Sequence, residues 1–196
     1  YSKVMEKEIL DKINCATNIL IITHVNPDGD TLGSMCAMYS MIYSRFKKKA
    51  DMSIVSNVPY NYKFLPNIDL AQRHFDKSLV YDLVISVDVA SIERTLDAQI
   101  FFDKAKVSIN IDHHKTNPHF GNYQIIEPEA SSCGEVLYDF FKENHWSLTQ
   151  EAVICLYVAI MTDTGNFRFE NTTSNALRAA ADLIDKGANP SLLYKN

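Results

Sequence analysis

The chain has 196 residues, 46% of them hydrophobic and 22% charged, with a formal net charge of -5 from 19 basic and 24 acidic side chains. That length carries a real core without metal or disulfide staples, and so ordinary a balance excludes disordered and fibrous classes. The acidity excludes a broad duplex-DNA footprint, though not a small phosphate substrate held by a local feature.

Residues 3–16 place Val4, Ile9 and Ile13 on one face of an amphipathic helix. The run Asn18–Thr23 reads as a strand buried on both faces, ending in the polar turn His24-Val-Asn-Pro-Asp-Gly-Asp30. A long helix follows over 31–49, its last lysines Lys47, Lys48 and Lys49 complementing the helix C-terminus. Residues 52–55 read as a second strand and 57–67, with Pro59 and Pro66, as loop. Two further apolar strands run over 82–88 and 106–112, and a fifth over 123–126. Helices are predicted over 131–144, 149–161 and 173–186, the last closed by Gly187. Strands alternating with helices indicate an α/β domain with a mainly parallel five-stranded sheet flanked by helices. No apolar run approaches the roughly 20 residues of a membrane span, and no secretory leader is read in this chain. Cys15, Cys36, Cys133 and Cys155 fit no metal or disulfide spacing and read as reduced thiols of a cytoplasmic protein.

Three of the apolar strands run into acidic or imidazole residues: His24, Asp28 and Asp30 after the first, Asp88 after another, Asp112-His113-His114 after a third. Ligands of open parallel sheets bind outside the carboxyl ends of the strands, so these groups share one edge. Asp163, leaving an apolar helix in Met161-Thr-Asp-Thr-Gly165, can reach the same edge. Each group alone has an ordinary structural role, in turn chemistry, surface decoration or helix capping. Together, so many carboxylates repel one another unless a cation compensates, and a dinuclear metal site accounts for them. Aspartate with imidazole and no thiolate suits manganese, with magnesium as the alternative. Calcium fits less well, because Tyr39 stands where a calcium loop places its bidentate glutamate.

The ordered set His24-x-Asn-Pro-Asp28-x-Asp30-x-x-Gly-Ser34, Val-Asp88, Asp112-His113-His114 and Thr-Asp163-Thr-Gly resembles the DHH phosphoesterases. Glu93-Arg94, Glu129-Ala-Ser-Ser132 and Gly165-Asn-Phe-Arg168-Phe are similar to the nano-RNase and pAp-phosphatase branch. The resemblance implies that His24 and Asp28 hold one divalent ion, Asp30 and His113 a second, with Asp88 bridging and Asp163 completing the first. It implies a catalytic role for His114 near the substrate phosphate, with Asp112 fixing His113 or His114. Asp88, Asp112 and His114 are thus the candidate catalytic residues. General two-metal chemistry then supplies a shared hydroxide that attacks phosphorus in line, without a side-chain nucleophile. Ser131, Ser132, Arg94 and Arg168 are candidate phosphate contacts, although the serines serve equally as helix N-caps.

The implied activity is hydrolysis of short oligoribonucleotides or of pAp. Cleavage of linear or cyclic dinucleotides is the alternative; pyrophosphatase, RecJ-type exonuclease and non-catalytic nucleotide binding rank lower. The family carries a second, glycine-rich substrate-binding domain, and no two of the six glycines here are adjacent. The expected division is therefore a catalytic domain over 1–187, with 188–196 starting a linker to a missing C-terminal domain in cis. The expected partners are a short RNA or nucleotide phosphate and that domain, not duplex DNA or a membrane; a homodimer is left open.

Overall fold

The computed structural model describes residues 3–195. Five parallel strands, β1 (Ile19–Ile22), β2 (Asp51–Ser53), β3 (Leu83–Val87), β4 (Val107–Asp112) and β5 (Tyr123–Ile126), lie in the order β2-β1-β3-β4-β5. The helices are α1 (Lys3–Cys15), α2 (Gly29–Phe46), α3 (Gln99–Lys104), α4 (Cys133–Glu143), α5 (Gln150–Asp163), α6 (Ser174–Asp185) and α7 (Pro190–Tyr194). None of these is long and apolar enough to cross a membrane.

The period of two along a strand explains why β1 and β3 are apolar throughout. Ile19 and Ile21 of β1, with Leu83, Ile85 and Val87 of β3, enter a large cluster shared with helices α1, α2, α4, α5 and α6. Leu20, Ile22 and Val84 face the other way, into a smaller cluster closed by Phe101 and Phe102 of α3. α2 packs closely along α5, and a Cβ on Gly33 would stand 2.5 Å from the Cys155 carbonyl oxygen. The fit needs a glycine there, because the obstacle is backbone that cannot swing aside.

Several local expectations are corrected. Val4 is 70% exposed; the buried stripe of α1 is Ile9 and Ile13 with Glu6, flanked by Met5 and Leu10. α2 stops at Phe46, because Lys47 turns left-handed (φ 57°) and its amide closes on the Tyr43 carbonyl. β2 lies one residue or more earlier than its hydropathy suggests, and α3 with the 3-10 turns before it was not predicted. Within the segment read as the start of a linker, α7 buries Leu193. Of the four thiols, Cys36, Cys133 and Cys155 are buried and Cys15 is exposed, all unpaired.

From β1 the chain crosses to β2 on one side, and the remaining strands build outward on the other. The order therefore reverses between β1 and β3, the place where open α/β sheets leave a crevice at their carboxyl ends. His24 follows β1 and Asp88 follows β3, so the two flank that crevice.

Candidate metal centre

Asp88 is the middle of the site. It is 3% exposed and left-handed (φ 60°), a strained conformation for a residue with a Cβ that persists only where the surroundings enforce it. Its amide donates to the Ile111 carbonyl, which pins the turn to β4. Its Oδ2 accepts from Thr31 Oγ1 at 2.7 Å and lies 3.8 Å from His24 Nε2. Its Oδ1 is buried and makes no hydrogen bond, with His113 Nε2 at 3.4 Å and His114 Nδ1 at 3.8 Å.

His24 is oriented by its backbone. Nδ1 lies 2.6 Å from the Val25 carbonyl oxygen and must donate to it, which leaves Nε2 as the lone-pair nitrogen facing the site. The Val25 amide in turn donates to the Arg94 carbonyl, and the exposed Arg94 side chain acts on His24 through charge alone. Asp28 caps α2 by accepting from the Thr31 amide at 2.9 Å. Asp28 thus performs the turn-and-cap role and meets His24 and Asp88 only through the shared Thr31 hydroxyl; neither Asp28 nor His24 belongs to the two close donor groups formed around His113.

Asp30 is fully buried. Its carboxylate accepts from the Cys133 and Gly134 amides, both at 2.9 Å, so the N-terminus of α4 is aimed at Asp30. Ser132 uses its hydroxyl to cap the same helix through the Glu135 amide, and Ser131, 1% exposed, has its amide bound to the Glu135 carboxylate. The helix start that sequence offers to a phosphate is occupied by the Asp30 carboxylate and by its own Ser132 cap.

His113 Nε2 lies 3.6 Å from Asp30 Oδ2, 3.4 Å from Asp88 Oδ1 and 3.5 Å from Asp163 Oδ2. Asp30, His113 and Asp163 therefore form one donor group within 4.8 Å, and Asp88, Asp112, His113 and His114 another. Asp163 is drawn beside His113, whereas the resemblance places it with His24 and Asp28. Asp112 orients His114 rather than His113: His114 Nδ1 stands 2.6 Å from Asp112 Oδ1, and Asn117 donates to Asp112 Oδ2 at 2.8 Å. Arg168 is exposed, its Nε held by the Gly165 carbonyl in a turn where Gly165, Asn166 and Phe167 are all left-handed.

The electrostatics report a site short of positive charge. Burial, then the Asp88 and Asp163 charges, push Asp30 well above the usual carboxylate range. Burial with the Asp88 and Asp28 charges lifts Asp163 to about 6. Burial disfavours a charged His113, yet Asp88, Asp163 and Asp112 outweigh it and raise the imidazole to about 9. Burial also opposes ionisation of Asp88, but the His113 and His24 imidazoles hold it below the ordinary carboxylate range. The Thr31 hydroxyl has one proton and three acceptors within 2.9 Å: Asp28, His24 and Asp88. Acceptors exceed donors and a buried carboxylate oxygen is orphaned, so this oxygen and nitrogen set fits divalent cations.

Sequence reasoning missed Thr31 and Asn117. The spacing Asp28-x-x-Thr31 is the local sign of a capping residue, but its second use against Asp88 is long-range. Asn117 gives no local sign, because it reaches Asp112 by folding back from the loop after β4.

Residues 18–160 match the profile described as DHH family, N-terminal domain. The chain is 35% identical over 91% of its length to the Streptococcus mutans protein named probable bifunctional oligoribonuclease and PAP phosphatase NrnA, covering 56% of that protein. It is 31% identical over 97% of its length to the Bacillus subtilis bifunctional oligoribonuclease and PAP phosphatase NrnA, covering 60% of it. It therefore spans between half and two thirds of these relatives. A solved exopolyphosphatase-related protein from Bacteroides fragilis shares the fold, with a TM-score of 0.91 over 99% of this chain and 60% of that one at 23% identity. The profile covers most of the chain and includes the crevice between β1 and β3 with His24, Asp28, Asp30, Asp88, Asp112, His113 and His114: the chain belongs to the DHH family.

Proposed function

We propose that the protein is a manganese-dependent phosphoesterase that hydrolyses short oligoribonucleotides, pAp, or both. The observation that carries this reading is the buried Asp88 carboxylate, its Oδ1 orphaned, between His24 and His113 at the sheet's reversal of order. The relatives' names supply the substrate class.

His24, Asp28, Asp30, Asp88, His113 and Asp163 would hold two divalent ions, with Asp88 serving both. When bound, such ions supply an activated water and stabilise charge on phosphoryl oxygens. The chain's own part is to fix and neutralise. α4 holds Asp30 through two amides, and the Val25 carbonyl fixes the tautomer of His24. Asp112 raises the basicity of His114 and keeps its proton on Nδ1, so Nε2 is the atom that meets the substrate phosphate or gives a proton to the leaving oxygen. Arg94 and Arg168 add positive charge at the rim. Residues 1–187 form the catalytic part, and a substrate-binding domain completes the enzyme in cis.

A panel of pAp, a diribonucleotide, a cyclic dinucleotide and pyrophosphate, assayed with manganese on this chain alone and joined to the proposed substrate-binding domain, tests the reading. Turnover of the first two above the others supports it. Turnover of pyrophosphate alone sinks it.

A further inference from the structure

Two recesses among the described residues contrast in chemistry. The larger, about 540 Å³, is lined by Glu6, Glu127, Glu129, Glu135, Asp139 and Glu143 among others, and would repel a nucleotide. The smaller, about 250 Å³, has no carboxylate in its lining, and aromatic rings, amides and one arginine shape it.

We propose that this smaller recess, lined by Asn61, Tyr62, Phe64, Asn166, Arg168 and Tyr194, is a nucleobase subsite on the catalytic domain itself. The inference rests on the phosphoesterase reading and names where the base of the substrate lies.

Position is the first argument. The recess shares a wall with the carboxylate cluster. Thr162 lines it, and Asp163 is the next residue. Gly29, between Asp28 and Asp30, approaches Thr162 so closely that a Cβ would meet its Oγ1 at 2.5 Å. Tyr62 is half-buried in the wall, and its phenol, lifted chiefly by burial, is close enough to Asp28 for that carboxylate to raise it further, so the ring stands beside the cluster. A nucleotide with its base here keeps its phosphate within reach of the Asp and His groups.

Chemistry is the second. Flat bases stack on aromatic faces regardless of sequence, and amides pair with their edges. Asn166 makes no side-chain hydrogen bond among the described residues, and its left-handed backbone (φ 59°) holds it in the turn after Asp163. Arg168 pairs with no carboxylate among the described residues, so it remains available to a phosphate. Size is the third argument. The volume falls below the roughly 300–1,000 Å³ of pockets for drug-sized ligands, which suits one ring system rather than a whole dinucleotide. The floor is preformed, because Met161, Val158 and Leu193 are buried.

The test compares adenosine 5′-monophosphate with ribose 5-phosphate by calorimetry on the manganese-loaded chain. Both carry the same phosphate, so their affinity ratio isolates the base. The expected ratio is about tenfold or more in favour of the nucleotide, the scale of one base stack. Tyr62→Ala, and separately Tyr194→Ala at a ring 60% exposed, should bring the ratio toward one, whereas Tyr62→Phe keeps it. The second alanine variant guards against misfolding in the first. A ratio below twofold in the unaltered chain, no binding of the nucleotide, or a ratio unchanged in both alanine variants would overturn the subsite. A chain that shows the preference but hydrolyses neither pAp nor a diribonucleotide leaves the subsite standing and removes the proposed activity. Hydrolysis with a ratio near one does the reverse.

Discussion

The same strands are built in two opposite ways along their length. In their middles, Ile21, Ile85 and Ile109 are fully buried, apolar and free of strain. Just past the ends of β3 and β4, Asp88 is left-handed and half unsatisfied and His113 faces three carboxylates, while Asp30 of α2 and Asp163 at the end of α5 join that edge and are pushed toward their neutral forms. The middles supply stability, and the ends draw on it. A protein keeps such a costly edge when a ligand repays it, and the local strain belongs to the site rather than to the fold.

The contrast can be broken from either side. The largest effect is expected at the costly end: Asp88→Asn should reduce phosphoesterase turnover about a thousandfold, the scale of losing a preorganised electrostatic group, while circular dichroism shows an intact fold. Near-native turnover in a folded variant would refute the bridging role. At the stable end, Ile85→Ala should cost about 3 kcal/mol in denaturant unfolding, within the range for emptying a core site. Its manganese affinity per folded molecule should stay unchanged, and a parallel loss of affinity would show that the two regions are not separable.

A smaller effect is expected between them. Asn117→Ala removes the donor to Asp112 and should lower turnover about tenfold through His114, with metal affinity nearly intact. The rate against pH would then shift, whereas a purely structural loss would leave the profile's shape alone.

The smallest effect is thermal. In metal-free protein Asp163 titrates at about 6 and His113 at about 9, each above its ordinary value of 3.8 or 6.5. The folded state then binds more protons than the unfolded chain from pH 4 to 9. Stability is fullest at the acid end of that window and falls as pH rises, first through the Asp163 range and then through that of His113. Melting temperature should drop by a few degrees across it, and saturating manganese should flatten the drop. A rise with pH in stripped protein would contradict these assignments.

Much of this was legible in the chain because it is written locally. Apolar runs of four to six residues ending in His24, Asp88 and Asp112 announce both the strands and the shared edge. What escaped depends on distant partners. Thr31 looks like a cap until Asp88 arrives from 57 residues away. Asn117 gains meaning only when its amide joins Asp112 to the Val89 carbonyl, 28 residues away. Ser131 and Ser132 fit a phosphate site by type, yet Asp30 reaches α4 first, from over 100 residues away. Val4 fits the apolar stripe of α1 by spacing but is 70% exposed, whereas Glu6, two residues further on, is buried and accepts from Asn144.

The most direct test of the central claim is calorimetric titration of metal-stripped protein with manganese, run in parallel on Asp88→Asn. The account predicts two bound ions per chain in the unaltered protein, proton release on binding as Asp30, Asp163 and His113 give up their protons, and loss of at least one ion in the variant. No binding, or the same stoichiometry and affinity in both proteins, would contradict it.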